Sequence, residues 1–325
     1  MVVLFAWSYF YLPTKPADDS NTAANTVANN TQPAPTQATP TPAAAQDPQQ
    51  QPAVDSVPNR QIKIKAPLYE VTLDSKGAVA TSWVLLRNKS NGHDYAIFAD
   101  GSNAGNDKPL QLISQKALEQ NPREVPFRLS TGDAALDTTL NERNYSISVP
   151  EETITLAAGE ERQIEFSMID ANGLEVKKNF VFRADSYVAD LAIDLKRGGQ
   201  PVPNAKLLIG ASIGDHAINH HTFYQIESEA VAAVDGGIVR HQGNYSFEFD
   251  ASNKAMLTVP GTVDWAGVGD AYFAMAAIPS SQTQGLELHA SKYEVETQPF
   301  FYSIFSWIIR SPETKETRHL VTAYV

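Results

Sequence analysis

Five short segments alternate apolar and polar residues with a period of two. They are Leu68–Leu73 (LYEVTL), Tyr145–Val149 (YSISV), Gln163–Met168 (QIEFSM), Tyr187–Leu195 (YVADLAIDL) and Tyr245–Phe249 (YSFEF). Successive side chains of a strand point to opposite faces, so this pattern puts one face in a core and the other in water. Antiparallel sheets read this way, whereas parallel sheets covered on both sides read as continuous apolar runs. Turn-forming pairs separate the segments: Asn91-Gly92, Asn172-Gly173, Gly198-Gly199, Gly236-Gly237 and Gln242-Gly243. Such pairs supply the positive φ that tight hairpin loops need. Only Asp107–Asn121 and the last 25 residues read as plausible helical stretches. Many short strands at this spacing predict a two-sheet sandwich or barrel.

Glycine and proline mark where this region begins. All 18 glycines lie at or after Gly77, and nine of the 20 prolines lie in the first 60 residues. The remaining 265 or so residues are many for one sandwich, so long twisted sheets or two fused sandwiches are expected. A chain of 325 residues buries about 75% of its unfolded surface and needs no disulfide or metal staple. Zero cysteines exclude thiolate nucleophiles, Cys-ligated zinc and iron–sulfur clusters, and leave the redox compartment open. A net charge of -12 without a basic cluster argues against a nucleic-acid partner.

The first sixty residues are a different polymer. Met1–Leu12 reads MVVLFAWSYFYL and carries no charge. A membrane-spanning helix needs about 20 such residues. A signal-peptide core would want a basic segment before it, and a buried strand or helix would want a partner to pack on. The remaining reading, residues 1–13 as the C-terminal part of a transmembrane helix, suits Trp7, Tyr9 and Tyr11, because amphipathic aromatics collect at the membrane interface. Residues 14–60 follow as a linker: 36 of its 47 residues are Pro, Ala, Thr, Asn or Gln. Such a segment buries too little apolar area to offset its ordering entropy. It would reach about 38 Å as a coil and about 145 Å as a polyproline helix. With the apolar stub in front, it reads as a stalk.

Chemical motifs are scarce. His216, His220 and His221 cluster in GDHAINHH, where an i, i+4 pair on a helix could chelate a metal. Gly214, Asp215 and Asn219 favour a loop of surface histidines instead. His93, His241, His289 and His319 stand apart in the sequence. Nucleophile-elbow and phosphate-loop motifs do not occur. No catalytic, cofactor-binding or metal residue is assigned. The apolar run Pro299–Ile309 (PFFYSIFSWII) reads first as a buried strand or helix. Its other reading is a membrane- or partner-facing surface built on Phe301, Phe305 and Trp307.

The segment Asp264–Pro279, DWAGVGDAYFAMAAIP, decides the family reading. From the residues alone, Ala271–Ile278 reads as an apolar, buried central strand, with Trp265 and Tyr272 filling core volume. The segment also resembles the signature of the periplasmic domain of YidC-type membrane protein insertases. The matching positions are Trp265, Gly267, Asp270, Tyr272, Phe273, Ile278 and Pro279, with Ala271 where the family often has Lys. Ile62–Leu86 is similar to the family's first strands, with Lys76-Gly77 in place of a usual Gly-Gly. His319–Val325 looks like the strand that precedes the family's core helices.

The resemblance implies a large twisted antiparallel β-sandwich over residues 61–325, a super-sandwich similar to galactose mutarotases, with a short helical C-terminal segment. It implies a bacterial inner-membrane protein with residues 14–325 in the periplasm. Implied partners are Sec translocon components and nascent inner-membrane proteins. The family's hydrophilic groove lies in core helices that this sequence does not include. A non-enzymatic docking or chaperone-like role is therefore expected. The rival is a sugar-binding or mutarotase-like protein, which needs a His acid and a Glu base facing one pocket. The sequence selects no such pair. A membrane-tethered adhesion module is a third option, for which only the stalk speaks.

Overall fold

The computed structural model describes residues 57–90, 93–96, 110–213, 228–270, 273–297 and 314–325. The expected membrane stub, most of the stalk, the His216–His221 cluster, Tyr272 and the run Pro299–Ile309 lie outside the described residues. Among the described residues no helix is long and apolar enough to cross a membrane.

The chain opens with β1 (Gln61–Lys65), β2 (Tyr69–Asp74), β3 (Val79–Leu85), β4 (Arg87–Ser90), β5 (His93–Ala96) and β6 (Leu110–Gln111). Helix α1 (Gln115–Glu119), β7 (Leu129–Ser130) and helix α2 (Ala134–Glu142) follow. Next come β8 (Ser146–Ile147), β9 (Thr153–Thr155), β10 (Glu161–Ile169), β11 (Leu174–Arg183), β12 (Asp190–Arg197) and β13 (Gln200–Pro201). The last group is β14 (Lys206–Ala211), β15 (Glu229–Val234), β16 (Gly237–Gln242), β17 (Lys254–Gly269), β18 (Ala274–Ala277), β19 (Thr283–Thr297) and β20 (Thr314–Tyr324).

Two five-stranded sheets, β6-β3-β2-β1-β9 and β13-β12-β11-β10-β8, share one core. Ile62, Ile64, Val71 and Leu73 reach it from the first sheet, and Ile164, Phe166, Phe180 and Phe182 from the second. This is the sandwich that period-two alternation predicts, with β1–β9 as a parallel exception. Phe180 sits in an aromatic cluster, its ring 5.0 Å from Phe127, 5.6 Å from Phe166 and 6.0 Å from Phe182. A third sheet runs β16-β15-β17-β19-β20-β14-β7, with β18 on the side of β17. Its own core draws on Ala232, Val268, Leu288 and Val321, covered in part by Phe247 and Phe249.

Turn chemistry sets the hairpin registers. Gly198 (φ 58°) and Gly199 (φ 76°) form the two-residue loop between β12 and β13. Both central positions have positive φ, as a type I′ turn requires. The β15–β16 loop is Asp235-Gly236, one residue earlier than the Gly-Gly pair suggests, with Val234 opposite Gly237. Asp tolerates the left-handed region, so the second glycine is free to enter the strand.

Four expectations need correction. Helix α2 is not visible in the period-two reading; its cap is Asp133, which accepts from the N–H groups of Ala135 (3.0 Å) and Leu136 (3.1 Å). Leu136 and Leu140, one turn apart, supply its buried side. Tyr245–Phe249 is irregular rather than a strand, because Tyr245 and Ser246 donate back to the Gln242 carbonyl and close a turn. Ala271–Ile278 is not a buried central strand. Among its described residues only Ala274–Ala277 is paired, with β17, and Ile278 is 79% exposed. The reason lies in β17, whose first half pairs with β19 and whose end pairs with β18 on the edge that β19 vacates. Finally, residues 314–324 within the last 25 are strand β20, not helix. The family resemblance had pointed to a strand there, and β20 does pair with β19 along its whole length.

Removing the α2 cap is a mild test of this local account. Asp133→Ala is expected to cost about 1 kcal/mol. A urea midpoint lowered at unchanged slope would register it.

Candidate functional site

Strands β19 and β20 run in register, with Glu287 opposite Tyr324 and His289 opposite Thr322. Alternation puts these four on one face of the third sheet, and sends Leu288, Ala290, Val321 and Ala323 to the core on the other. The polar face is built from distant parts of the chain. Lys206 of β14 ion-pairs with Glu287. The Nε2 of His289 lies 2.9 Å from Glu287 Oε1, and its ring packs 5.0 Å from that of Tyr324. Arg128 donates to the Tyr324 hydroxyl at 2.9 Å. Met256 of β17, opposite His289, leaves that side of the face open.

The two carboxyls on this face are pushed in opposite directions. Burial raises that of Glu124, and His289, Thr322 and Arg128 pull it only part of the way back. Burial also acts on Glu287, but its contacts with Lys206 and His289 outweigh it and hold the carboxyl below its usual value. Tyr324 is raised to about 12 by burial in spite of Arg128, so its phenol stays neutral. Two carboxyls of divergent acidity beside a histidine are groups able to exchange protons with a bound molecule. Among the described residues no group of three or more His, Asp and Glu could hold a metal ion.

Sequence reasoning missed this cluster. Glu124 and Arg128 lie more than 150 residues from His289, and no local pattern links them. The available signal was Glu287-x-His289 inside an alternating strand, which puts both side chains on one face.

The described residues of the Trp265–Pro279 segment have geometric roles. Gly267 lies opposite Ala276, and a β-carbon there would stand 2.8 Å from the Met275 carbonyl oxygen. Only glycine lets β18 approach so closely. Asp270 accepts from the Phe273 N–H at 3.1 Å and closes the turn between β17 and β18. Phe273 packs against Leu110, Leu112 and Ile213, which joins the third sheet to the first. Trp265 and Pro279 are half-buried. Phe301, Phe305 and Trp307 lie outside the described residues, as does Tyr272.

A sequence model described as the YidC periplasmic domain matches residues 61–305. The chain belongs to the YidC periplasmic domain family. It is 25% identical over 238 residues to a membrane protein insertase YidC of Chlorobaculum tepidum, covering 72% of this chain and 36% of that protein. A membrane protein insertase YidC of Nitratidesulfovibrio vulgaris is 25% identical over 280 residues, covering 86% of this chain and 46% of that protein. The chain thus spans less than half the length of these YidC relatives. Its first matched residue, Gln61, is also the first residue of β1. The whole of the first two sheets falls within the family match.

Proposed function

We propose that residues 61–325 serve as the periplasmic domain of a bacterial inner-membrane insertase and act there as a non-catalytic docking or chaperone-like module. The family match over residues 61–305 carries this reading. In it, residues 1–13 are part of a transmembrane helix, residues 14–60 are the tether, and residues 14–325 lie in the periplasm. The partners are nascent inner-membrane proteins and Sec translocon components. The signature residues Trp265, Gly267, Asp270, Tyr272, Phe273, Ile278 and Pro279 serve the fold rather than a ligand, a reading supported by the close approach of β18 at Gly267 and the turn closed by Asp270 on Phe273. Phe301, Phe305 and Trp307 offer the membrane- or partner-facing surface.

The test is site-specific photocrosslinking in cells. A photoreactive residue at Tyr245, Met256 or Ile278, exposed by 82%, 66% and 79%, is expected to capture membrane proteins during insertion or translocon subunits. Adducts restricted to soluble periplasmic proteins would remove the docking role. For the terminal surface, Phe301→Ser with Trp307→Ser should weaken liposome association; unchanged association would discard it.

A second reading, a sugar-binding or mutarotase-like protein, is favoured by one observation. His289, Glu287 and Glu124 gather on one polar sheet face. Titration calorimetry with neutral hexoses, repeated on Glu124→Gln and His289→Ala, decides it. Heat that both variants abolish would support sugar binding, and no heat with the wild type would reject it.

A further inference from the structure

Strand β11 presents Leu174, Val176, Lys178, Phe180 and Phe182 to the sandwich core. One of these five inward positions is a lysine, and it is fully buried. Its Nζ donates to the carbonyls of Phe127 (2.6 Å) and Gly77 (2.7 Å), with the Ala78 carbonyl further off at 3.3 Å. All three acceptors are backbone carbonyls, which carry no formal charge to offset that of a buried ammonium.

Among the described residues the neighbours offer this amine no countercharge. In register it is flanked by Phe166 of β10 and Ile193 of β12. The Tyr145 ring lies 5.6 Å from Nζ, and burial holds its phenol neutral while it donates to the Leu140 carbonyl. Around the β2–β3 turn, Asp74 is paired with Arg123, and Lys76 with Glu142 of α2. Glu124 and Arg128 face the third sheet instead.

Phe127, the residue held at 2.6 Å, is itself strained. Its φ is 75°, a region that a bulky L-residue rarely occupies. It belongs to a strap, residues 124–128, that ties several elements together. The Glu124 N–H donates to Ala117 of α1, the Pro126 carbonyl accepts from Ala80 of β3, and the Phe127 N–H donates to Leu208 of β14. The same strap carries Glu124 and Arg128 onto the polar face of the third sheet.

We propose that Lys178 is a proton-released latch: its neutral amine fastens the strap at Phe127, and proton uptake frees the strap, so that Glu124 and Arg128 leave the polar face. The sign follows from burial. Desolvation lowers the Lys178 amine from 10.5 to about 7 in the closed domain. Once released into water, it regains its ordinary basicity. The open form binds the proton more tightly, so the closed form is fully favoured above about pH 10.5. It loses ground as the pH falls from about 10.5 to about 7 and changes little below that.

Amide hydrogen exchange on the full chain, corrected for intrinsic rates, tests the latch. The amides of Ala80 and Phe127 should exchange through an opening less costly than global unfolding. Their protection should fall about tenfold per pH unit from pH 10 to pH 7, and flatten below. In Lys178→Met that dependence should vanish. Should this variant fail to fold, the wild-type Lys178 side chain is titrated by NMR, with an expected midpoint near 7. Protection independent of pH, strap amides that exchange only with the whole domain, or a Lys178 midpoint above 9.5 would each overturn the latch.

Discussion

Phe180→Ala is expected to destabilise the domain by about 3–5 kcal/mol, the largest loss foreseen for a single side chain. Phe180 is 0% exposed and touches the rings of Phe127, Phe166 and Phe182. Removing its ring deletes three edge or stacked contacts and opens a cavity that strands on both sides resist filling. The site is also two residues from Lys178 on the same face, so the cavity borders the strap. Urea unfolding followed by circular dichroism would measure the effect. Tyr245→Ala, at a position 82% exposed, serves as the control and should stay within about 0.5 kcal/mol. A Phe180 loss no larger than that of the control would mean that the two five-stranded sheets do not share a core.

The second large effect concerns a backbone contact. Gly77 has φ 79°, and a β-carbon there would lie 2.6 Å from the Asn141 carbonyl oxygen. Gly132 has almost the same φ, 81°, with nothing within 4 Å. An Ala at either position adopts a left-handed conformation, at roughly 1–2 kcal/mol. At Gly77 the overlap adds about 1–3 kcal/mol. Asn141 cannot easily yield, because its side chain donates to the Leu129 carbonyl (2.8 Å) and accepts from the Leu129 N–H (3.0 Å). Gly77→Ala is therefore expected to lose about 2–5 kcal/mol, against about 1–2 for Gly132→Ala. Equal midpoints for the two variants in thermal unfolding would refute the close approach of the β2–β3 turn to α2.

Much of the first two sheets is legible without coordinates. The alternation in Leu68–Leu73 becomes β2, that in Gln163–Met168 becomes β10, and that in Tyr187–Leu195 overlaps β12. Each of these strands has a neighbour on both sides and a core on one face, so local pattern and final burial agree. Tyr245–Phe249 has the same alternation without a ladder partner. Two of its aromatic side chains still reach the core, since Phe247 is buried and Phe249 packs 5.5 Å from His319, while Tyr245 stays exposed. Ala271–Ile278 failed for a related reason. Apolar composition marks a segment as able to be buried, while its place in the sheet depends on where β19 stops pairing with β17. Helix α2 was missed because its nine residues carry only two core leucines, a weak stripe beside the strand signals around it.

The polar face was the least legible feature. His289 is one of seven histidines and Glu124 one of 37 acidic residues, and composition cannot choose among them. Their meeting depends on the strap at residues 124–128 crossing onto β20, a long-range event with no local trace.

By itself, the sequence determined the class of fold, the change of polymer type near residue 60, and the family of the chain. These rest on properties of neighbouring residues: the period of alternation, turn dipeptides, and the close spacing of Trp265, Gly267 and Asp270. The tertiary structure alone decided that Lys178 is buried with no countercharge among the described residues, that Phe127 is held strained above it, and that Glu124 faces His289. Those outcomes depend on contacts between strands far apart in the chain. Burial and electrostatic reach act through space, and neither is encoded in the order of nearby residues.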